Sequence, residues 1–374
     1  MNQPIPAPAV PAQAPRPAAG TPGSAPPPTQ PSAPAQPPLA PLSPADVARG
    51  AHAVLTEVAT VVVGMTQPLK VALAAFLAGG HVLFEDVPGL GKTLASRSLA
   101  TALGLEFRRI QCTPDLLPSD ITGSAVYDPE KTAFRFRPGP VFAGLLLADE
   151  INRTAPKTQS ALLEAMAERQ VTVDGTTYPL PRPFHVVATS NPVEYEGTYP
   201  LPEAQLDRFM VRLAVGYPDT DAEVDVLMRR LERRQEEANV RRVVDARTLL
   251  GMQAGVEAVR VDPDVVGYCV ALAAATRAHE AVEVGASPRG SQALVLVSRA
   301  LAVLSGRRFV APEDVKAVAV PALAHRLTLT PGSWAAGVKA EDVVREVLAR
   351  VPGPATVPGG PGAAGETGKG TLAR

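Results

Sequence analysis

A short glycine-rich segment, residues 86–93, constrains the fold of this chain more than any other feature of its sequence. It reads Asp-Val-Pro-Gly-Leu-Gly-Lys-Thr and lies between the apolar run 81–85 and the helical pattern of 93–103. Glycines between a buried strand and a helix let backbone amides turn inward, where the helix N-terminus adds partial positive charge. The segment therefore predicts a strand–loop–helix unit that binds phosphate groups.

Residue types within this segment match a Walker A loop. The Lys92 side chain is expected to reach the β- and γ-phosphates of a nucleotide, and the Thr93 hydroxyl to ligate Mg²⁺. One residue departs from the full pattern, because Asp86 stands where the pattern has glycine. A glycine-rich turn that binds no ligand is the alternative interpretation. The residues expected to contact the nucleotide here are Pro88, Gly89, Leu90, Gly91, Lys92, Thr93 and Leu94.

Short apolar runs alternate with helical patterns up to about residue 218. Alternation of buried strands with helices is typical of a mostly parallel sheet covered on both faces. After Pro218 the strand signals stop, and segments with helical spacing of apolar residues follow. The strand candidates are HVLFE (81–85), LEFRRI (105–110), GLLLADE (144–150), FHVVATS (184–190) and FMVRLAV (209–215). The helical segments of the second part are 220–237, 246–258, 263–280, 289–305, 312–327 and 340–350.

These patterns divide the chain into four parts. Residues 1–43 are rich in Pro and Ala, carry Arg16 as their single charge and are expected to be a disordered tail. Residues 44–218 are expected to form an α/β domain and residues 219–351 an all-helical domain. The Gly/Pro-rich stretch 352–374 is expected to be a second disordered tail.

Composition and charge disfavour some classes of function and location. The net charge of -1 and the pI of about 6.6 do not suggest a nucleic-acid backbone as the partner. Cys112 and Cys269 lie far apart without metal-ligand spacing, which favours buried free thiols. Neither a signal peptide nor a segment long enough to span a bilayer stands out, so a cytoplasmic location is expected.

Two adjacent carboxylates end the third apolar run. Adjacent residues of a strand point to opposite sides, so at a strand end one acid can hold a metal ion while the other faces an attacking water. We assign Asp149 to Mg²⁺ and Glu150 to activation of the water. The alternative is a strand that runs into a solvated acidic loop.

The order of the motifs resembles one family closely. The Walker A segment is followed by DEINR (149–153), a predicted hairpin, ATSNP (188–192), EGTYPLPEAQLDRF (196–209) and GASPRG (285–290). This order resembles the MoxR family of AAA+ ATPases and, more distantly, the ATPase subunits of magnesium chelatase. The resemblance covers about residues 45–330. It implies an α/β P-loop NTPase fold, with an AAA+ core of five parallel strands between helices, followed by an all-α lid domain.

The resemblance also implies roles for residues outside the phosphate loop. Asn191 matches the sensor 1 position, Arg208 the arginine finger that reaches the nucleotide of a neighbouring subunit, and Arg289 the sensor 2 position. Gly64 matches a segment that lines the adenine pocket. The alternative role for Arg208 is an ordinary surface ion pair, and that for Arg289 is a residue at a helix start. Arg153 has two possible positions, at a subunit interface or in a solvated loop.

Two further segments have counterparts in the family. Residues 171–183, which alternate around Asp174-Gly175, resemble the pre-sensor 1 hairpin, and residues 119–141 resemble the helix 2 insert. Both are expected to face a central pore or a partner. Gly290 stands where alanine is the commoner family residue. His81 and His185 begin strands without partners at metal spacing, so a structural role is expected for both.

Three classes of function are compatible with these motifs. The first, which the resemblance implies, is a hexameric ATPase with ATP and Mg²⁺ as cofactors that remodels or activates client proteins. The same resemblance implies a separately encoded von Willebrand factor A domain protein as its partner. The second is a DNA-directed AAA+ motor, against which the near-neutral charge and the single arginine of the hairpin, Arg182, count. The third is a nucleotide-binding switch with little turnover. A magnesium-chelatase-like ATPase subunit is a minor alternative.

Overall fold

The computed structural model describes residues 40–192, 198–235 and 239–354, which fall within one compact unit, Leu39–Arg374. The predicted disordered tails lie mostly outside the described residues. Residues 40–43, at the end of the predicted N-terminal tail, are described, and there the Leu42 amide donates a hydrogen bond to the Gly251 carbonyl at 3.1 Å. The described end of the predicted tail therefore contacts the helical half of the chain, and the first helix starts at Pro44 with Ser43 as its N-cap.

A five-stranded parallel sheet lies at the centre of the N-terminal half, in the order β2-β5-β8-β1-β9. All five apolar runs form these strands, which confirms the predicted sheet. The strands of the whole chain are β1 Val82–Glu85, β2 Phe107–Gln111, β3 Gly123–Asp128, β4 Ala133–Pro138, β5 Leu145–Asp149, β6 Gln170–Val173, β7 Thr176–Pro179, β8 His185–Ser190, β9 Val211–Leu213, β10 Val282–Val284 and β11 Thr328–Leu329.

Helices cover both faces of this sheet. Alternate residues of each strand point to opposite faces, so Leu83, Leu146 and Val186 join one hydrophobic cluster and Phe84 and Leu147 join the other. The helices are α1 Pro44–Ala59, α2 Thr66–Leu77, α3 Lys92–Ala102, α4 Pro118–Thr122, α5 Pro156–Glu168, α6 Glu203–Leu206, α7 Thr220–Arg233, α8 Ala246–Glu257, α9 Pro263–Arg277, α10 Pro288–Leu304, α11 Pro312–Leu323, α12 Pro331–Ala335 and α13 Ala340–Arg350.

The C-terminal half is helical, as predicted, and its helices share one hydrophobic cluster with α1, α2 and α3. Helix α10 packs against α2 and α1. The sequence analysis found no strands in this half, whereas β10 and β11 form a small antiparallel sheet in which Val282 pairs with Leu329. Runs of two and three residues are too short to give a period-2 signal, which is why the pattern missed them.

Two hairpins project from the core at the predicted places. Strands β3 and β4 pair within the 119–141 insert, and β6 and β7 pair across Asp174-Gly175, both of which have positive φ. Positive φ at both central residues suits the tight turns of hairpins and explains the Asp-Gly pair. The rings of Phe136 and Tyr178 stack with centroids 3.9 Å apart, so the two hairpins are joined by an aromatic contact.

The contacts of the buried histidines and cysteines agree with the structural roles expected for these residues. The His81 ring accepts a hydrogen bond from the Val186 amide at 2.9 Å, and a ring nitrogen of His185 lies 2.9 Å from the Gly80 carbonyl oxygen. Cys112 and Cys269 are buried free thiols, and burial raises the pKa of each to about 12. Within the described ranges, none of the helices combines the length and the apolar character needed to cross a membrane.

These two histidines make the stability of the fold dependent on pH. Burial lowers the pKa of His81 to about 3 and that of His185 to about 4, while an unfolded chain titrates near about 6.5. Below that value the unfolded state binds more protons than the folded state, so stability is fully present above it and is lost as the pH falls towards 4. We expect each histidine to cost about 1.4 kcal/mol of unfolding free energy per pH unit in this window.

Urea unfolding at several pH values between 7 and 4.5, without nucleotide, measures this slope. His185→Gln should make the slope shallower, while the matched change at the exposed His52 should leave it unaltered. Equal slopes in the two variants would contradict the assignment of the pH dependence to the buried ring.

Candidate active site

The phosphate loop connects the end of β1 to the start of α3. Gly89 and Gly91 have φ of 84° and 76°, a region that L-residues with a side chain rarely adopt, and space around either Cβ position is open. The backbone conformation, and not crowding, therefore requires glycine at both positions. Lys92 Nζ donates to the Asp86 and Val87 carbonyl oxygens at 2.6 and 3.0 Å, which folds the lysine back over the loop.

Two opposing influences act on the pKa of Lys92. Burial lowers the pKa of Lys92, while the carboxylates of Asp86, Asp149 and Glu150 oppose that shift. Three acids near one buried ammonium group favour its charged form, which is the form that attracts phosphate oxygens.

Asp86, which replaces the first glycine of the Walker A pattern, has a role of its own. Its φ is not positive, so the local backbone does not need glycine. The Asp86 carboxylate accepts hydrogen bonds from the Val215 and Gly216 amides at 2.7 and 2.6 Å, and from the Val87 amide at 2.8 Å. The departure from the pattern thus ties the phosphate loop to the segment that follows β9.

The acidic pair lies opposite the loop, at the carboxyl end of β5. Thr93 Oγ1 lies 3.3 Å from Asp149 Oδ2, so both predicted metal ligands meet at one point. Asp149 Oδ1 accepts a hydrogen bond from the Thr189 hydroxyl at 2.6 Å, and Thr189 Oγ1 accepts one from the Glu150 amide at 2.8 Å. One hydroxyl on β8 therefore holds the carboxylate of Asp149 and the backbone of Glu150.

Glu150 has a strained backbone, with φ of 57° and ψ of 50°. A non-glycine residue in this left-handed region costs on the order of 1–3 kcal/mol and is found mainly at functional sites. Its carboxylate accepts a hydrogen bond from Gln111 at 2.9 Å and lies 3.2 Å from the Arg153 guanidinium. The conformation turns the side chain away from the strand axis while Gln111 and Arg153 fix its position.

Two residues of β2 that were not predicted as site residues contact the acids. Arg109 forms an ion pair with Asp149 Oδ2 at 2.7 Å, and Gln111 holds Glu150. A metal ion that binds this Asp149 oxygen requires the guanidinium to move. Pairing of β2 with β5 brings these residues to the site, and their alternation at 109 and 111 was the only signal in the sequence that they share a face.

Asn191, the first residue after β8, lies beside the acidic pair and is 7% exposed. The phosphate loop, the acids and the end of β8 together enclose a cavity of about 190 Å³. This places the candidate phosphate-binding, acidic and amide groups in one site, at the carboxyl edge of the sheet. The cavity is lined by Pro88, Gly89, Leu90, Gly91, Lys92, Thr93, Asp149, Glu150, Thr189, Ser190 and Asn191.

Two predicted contact residues lie outside this cavity. Leu94 is on α3 and is 39% exposed. Gly64, with φ of 76°, follows α1 and lies against Pro218 and Ala222, near the start of α7. Gly64 is therefore next to the junction between the core and the helical half, and its contact with an adenine ring stays a prediction.

The two predicted arginines lie together at the opposite, amino edge of the sheet. Arg208 and Arg289 line a cavity of about 400 Å³ with Gly80 and His81, which precede β1. Arg289 Nε lies 3.9 Å from Asp207 Oδ2. Because β1 separates this edge from the phosphate loop, the structure does not bring either arginine to the nucleotide site of its own protomer.

The residues of the first cavity fit a magnesium ion. Mg²⁺ prefers hard oxygen ligands and is usually bound by one or two protein groups together with substrate phosphates. Thr93 and Asp149 supply two such oxygens at the mouth of the phosphate loop. In the part of the chain that the structure describes, no group of three or more His, Cys, Asp or Glu residues could hold a metal ion by itself.

Known proteins resemble this chain along most of its folded length. The family described as "ATPase family associated with various cellular activities (AAA)" matches residues 81–211, and the family described as "AAA lid domain" matches residues 274–347. The uncharacterized protein YeaC of Bacillus subtilis is 50% identical, over 78% of this chain and 91% of its own length. Chaperone MoxR1 of Mycobacterium tuberculosis is 42% identical, over 79% and 80% of the two chains.

A solved structure extends the comparison to three dimensions. The crystal structure of a proposed ATPase from Cytophaga hutchinsonii matches with a TM-score of 0.77 and 40% identity, over 83% of this chain and 96% of that one. The fold and the site together define an AAA+ ATPase with a helical lid. Within this class, the chain belongs to the MoxR family.

Proposed function

We propose that this protein is a Mg²⁺-dependent ATPase that works as a hexameric ring and remodels or activates protein clients. The observation that carries the proposal is the meeting of Lys92, Thr93 and Asp149 in one cavity, with Glu150 and Asn191 beside them. Phosphoryl transfer needs positioned phosphates, neutralised charge and an oriented nucleophile, and these side chains provide suitable groups for each.

In the proposed reaction each residue has one task. The Lys92 ammonium and the loop amides bind the β- and γ-phosphates of ATP, and Thr93 and Asp149 hold the metal. A Mg²⁺ ion held by Thr93 and Asp149 would neutralise charge on the phosphate oxygens. Glu150 accepts the proton of the attacking water and the Asn191 amide orients that water.

Assembly completes the site in this proposal. Arg208 and Arg289 lie at the sheet edge opposite the phosphate loop, so a second copy must bring its amino edge to the first copy's nucleotide. An arginine supplied in trans neutralises the charge that develops around the γ-phosphoryl group in the transition state and makes hydrolysis depend on ring formation. Gly64 is assigned to the adenine pocket by the family resemblance.

The client role rests on the relatives and on surface chemistry. Mycobacterium tuberculosis MoxR1 is named a chaperone, and of the two hairpins β3–β4 carries exposed apolar side chains, with Phe134 75% and Tyr127 49% exposed. We infer that these hairpins contact clients, that a von Willebrand factor A domain protein is the partner, as the family resemblance implies, and that the location is cytoplasmic. The net charge of -1 does not favour nucleic acid as the client.

Replacing Lys92 by alanine tests the nucleotide site itself. Loss of a charged hydrogen bond to phosphate is expected to weaken binding of Mg–ATP by about 10- to 100-fold, measured by titration calorimetry, and hydrolysis should fall with it. Lys316→Ala, at an exposed lysine of α11, is the matched control and should bind as the unaltered protein does. Equal affinity in both variants would contradict the assignment of the site.

A further inference from the structure

The backbone segment that carries Arg208 is held by one buried arginine of the lid. Arg326 follows α11, and its side chain is 3% exposed. Its Nε donates to Asp207 Oδ1 at 2.7 Å, and its Nη2 donates to the Phe209 carbonyl oxygen at 2.8 Å and to the Asp207 carbonyl oxygen at 3.3 Å. A single guanidinium group therefore binds the residues on both sides of Arg208.

A second lid element holds the same segment. Ser287, the N-cap of α10, donates its hydroxyl to Asp207 Oδ2 at 3.0 Å. A Cβ added at Gly290, also on α10, would lie 3.3 Å from Arg326 Cδ, so this helix packs closely on the Arg326 side chain. The Asp207 carboxylate is thus shared between α10 and the residue that follows α11.

The Arg208 backbone is held by neighbouring groups, whereas nothing in the described part of the chain holds its guanidinium group. Its amide donates to the Gln205 carbonyl oxygen at 3.2 Å. Among the described residues, however, its guanidinium makes neither a hydrogen bond nor an ion pair, and it lines the cavity at the amino edge of the sheet. The fold therefore fixes the base of Arg208 and leaves its charged end available.

We propose that Arg326 is a positioning residue that aims Arg208 at the nucleotide of the neighbouring protomer and thereby links that protomer's hydrolysis to the lid of this one. The inference rests on the trans role proposed above for Arg208. A catalytic group displaced by about 1 Å can lose on the order of 10²-fold in rate. The contacts of Arg326 restrict displacement of this kind, because they bind the carboxylate and two carbonyl groups of one turn.

Arginine suits this position better than lysine does. Its planar fork donates in several directions at once, whereas a lysine ammonium acts as a point charge. A lysine at position 326 can keep the ion pair with Asp207 but loses the simultaneous bond to the Phe209 carbonyl. The Arg326→Lys variant therefore retains a paired buried charge, which avoids the large penalty of an unpaired one.

The test measures hydrolysis and binding separately in the full-length protein. For Arg326→Lys we expect the rate constant of hydrolysis to fall by about 10²-fold, while the affinity for Mg–ATP stays unchanged because the phosphate loop lies at the other sheet edge. Ser287→Ala, which removes the second bond to Asp207, should give a smaller loss in the same direction. Arg307→Lys, at another lid arginine paired with a buried acid, Asp314, should leave the rate unchanged.

Mixing experiments separate positioning from general damage to the lid. Arg326→Lys protein mixed with Glu150→Gln protein, which has an intact Arg208 segment, should hydrolyse ATP faster than the sum of the two variants alone. An unaltered rate in Arg326→Lys would overturn the inference. Arg208→Ala protein mixed with the same Glu150→Gln partner is the comparison. If that mixture is rescued and the Arg326→Lys mixture is not, the inference about Arg326 is overturned, while the proposed trans role of Arg208 is retained. Absence of rescue in both mixtures would overturn both.

Discussion

Replacing Glu150 by glutamine is expected to reduce ATP hydrolysis by about 10²- to 10⁴-fold while ATP binding is retained. The amide has nearly the shape of the carboxylate but cannot accept a proton from water. The Glu150 side chain lies in the same cavity as Lys92 and Thr93, and its backbone amide is held by Thr189. Removal of the charge alone therefore alters the chemistry and keeps the geometry of the phosphate loop.

Single-turnover hydrolysis and titration of Mg–ATP measure the two effects for this variant. Glu106→Gln is the matched control, because its carboxylate is exposed and, within the described ranges, pairs with Arg108 near the start of β2. Hydrolysis by Glu150→Gln at the rate of the unaltered protein would rule out Glu150 as the base. A parallel loss of binding would instead indicate a structural role.

Replacing Arg208 by alanine is expected to lower hydrolysis by about 10³- to 10⁵-fold, the range found for arginines supplied in trans. Binding of ATP to the isolated protomer should not change, because Arg208 lines the cavity at the amino edge of the sheet and not the cavity of the phosphate loop. The specific activity of the unaltered protein should also rise with protein concentration, since each site needs a neighbour.

Arg345→Ala is the control for this substitution. Arg345 is an exposed lid arginine paired with Asp342, and its loss should leave hydrolysis intact. Activity that is constant with dilution in a strictly monomeric sample would refute the trans assignment, as would full activity in Arg208→Ala. Sedimentation and hydrolysis measured on the same samples provide both readouts.

Local sequence signals were sufficient for the elements whose geometry is local. The five core strands, the inward turn of the phosphate loop at its glycines and the Asp174-Gly175 turn each depend on a few consecutive residues. Periodicity and the steric freedom of glycine therefore predicted them. The joining of Thr93 to Asp149 was also predictable, because the carboxyl ends of parallel strands meet at one edge.

Features created by long-range packing could not be predicted in this way. Arg109 and Gln111 reach Asp149 and Glu150 only because β2 pairs with β5. No motif in residues 105–111 indicates that contact. The same holds for Arg326, which lies 119 residues from Asp207 in sequence. Arginine is common on surfaces, so an arginine outside a motif gives no indication that it is buried and paired.

The Asp86 carboxylate has a consequence for how the molecule responds to its nucleotide. It bonds the first residue of the phosphate loop to the amides of Val215 and Gly216, where the chain leaves the sheet towards α7. Glycine at position 86 would offer no acceptor, and the two segments could shift separately. With aspartate there, we expect any displacement of the loop on gaining or losing phosphates to move the exit of β9 with it, because hydrogen bonds join the two segments.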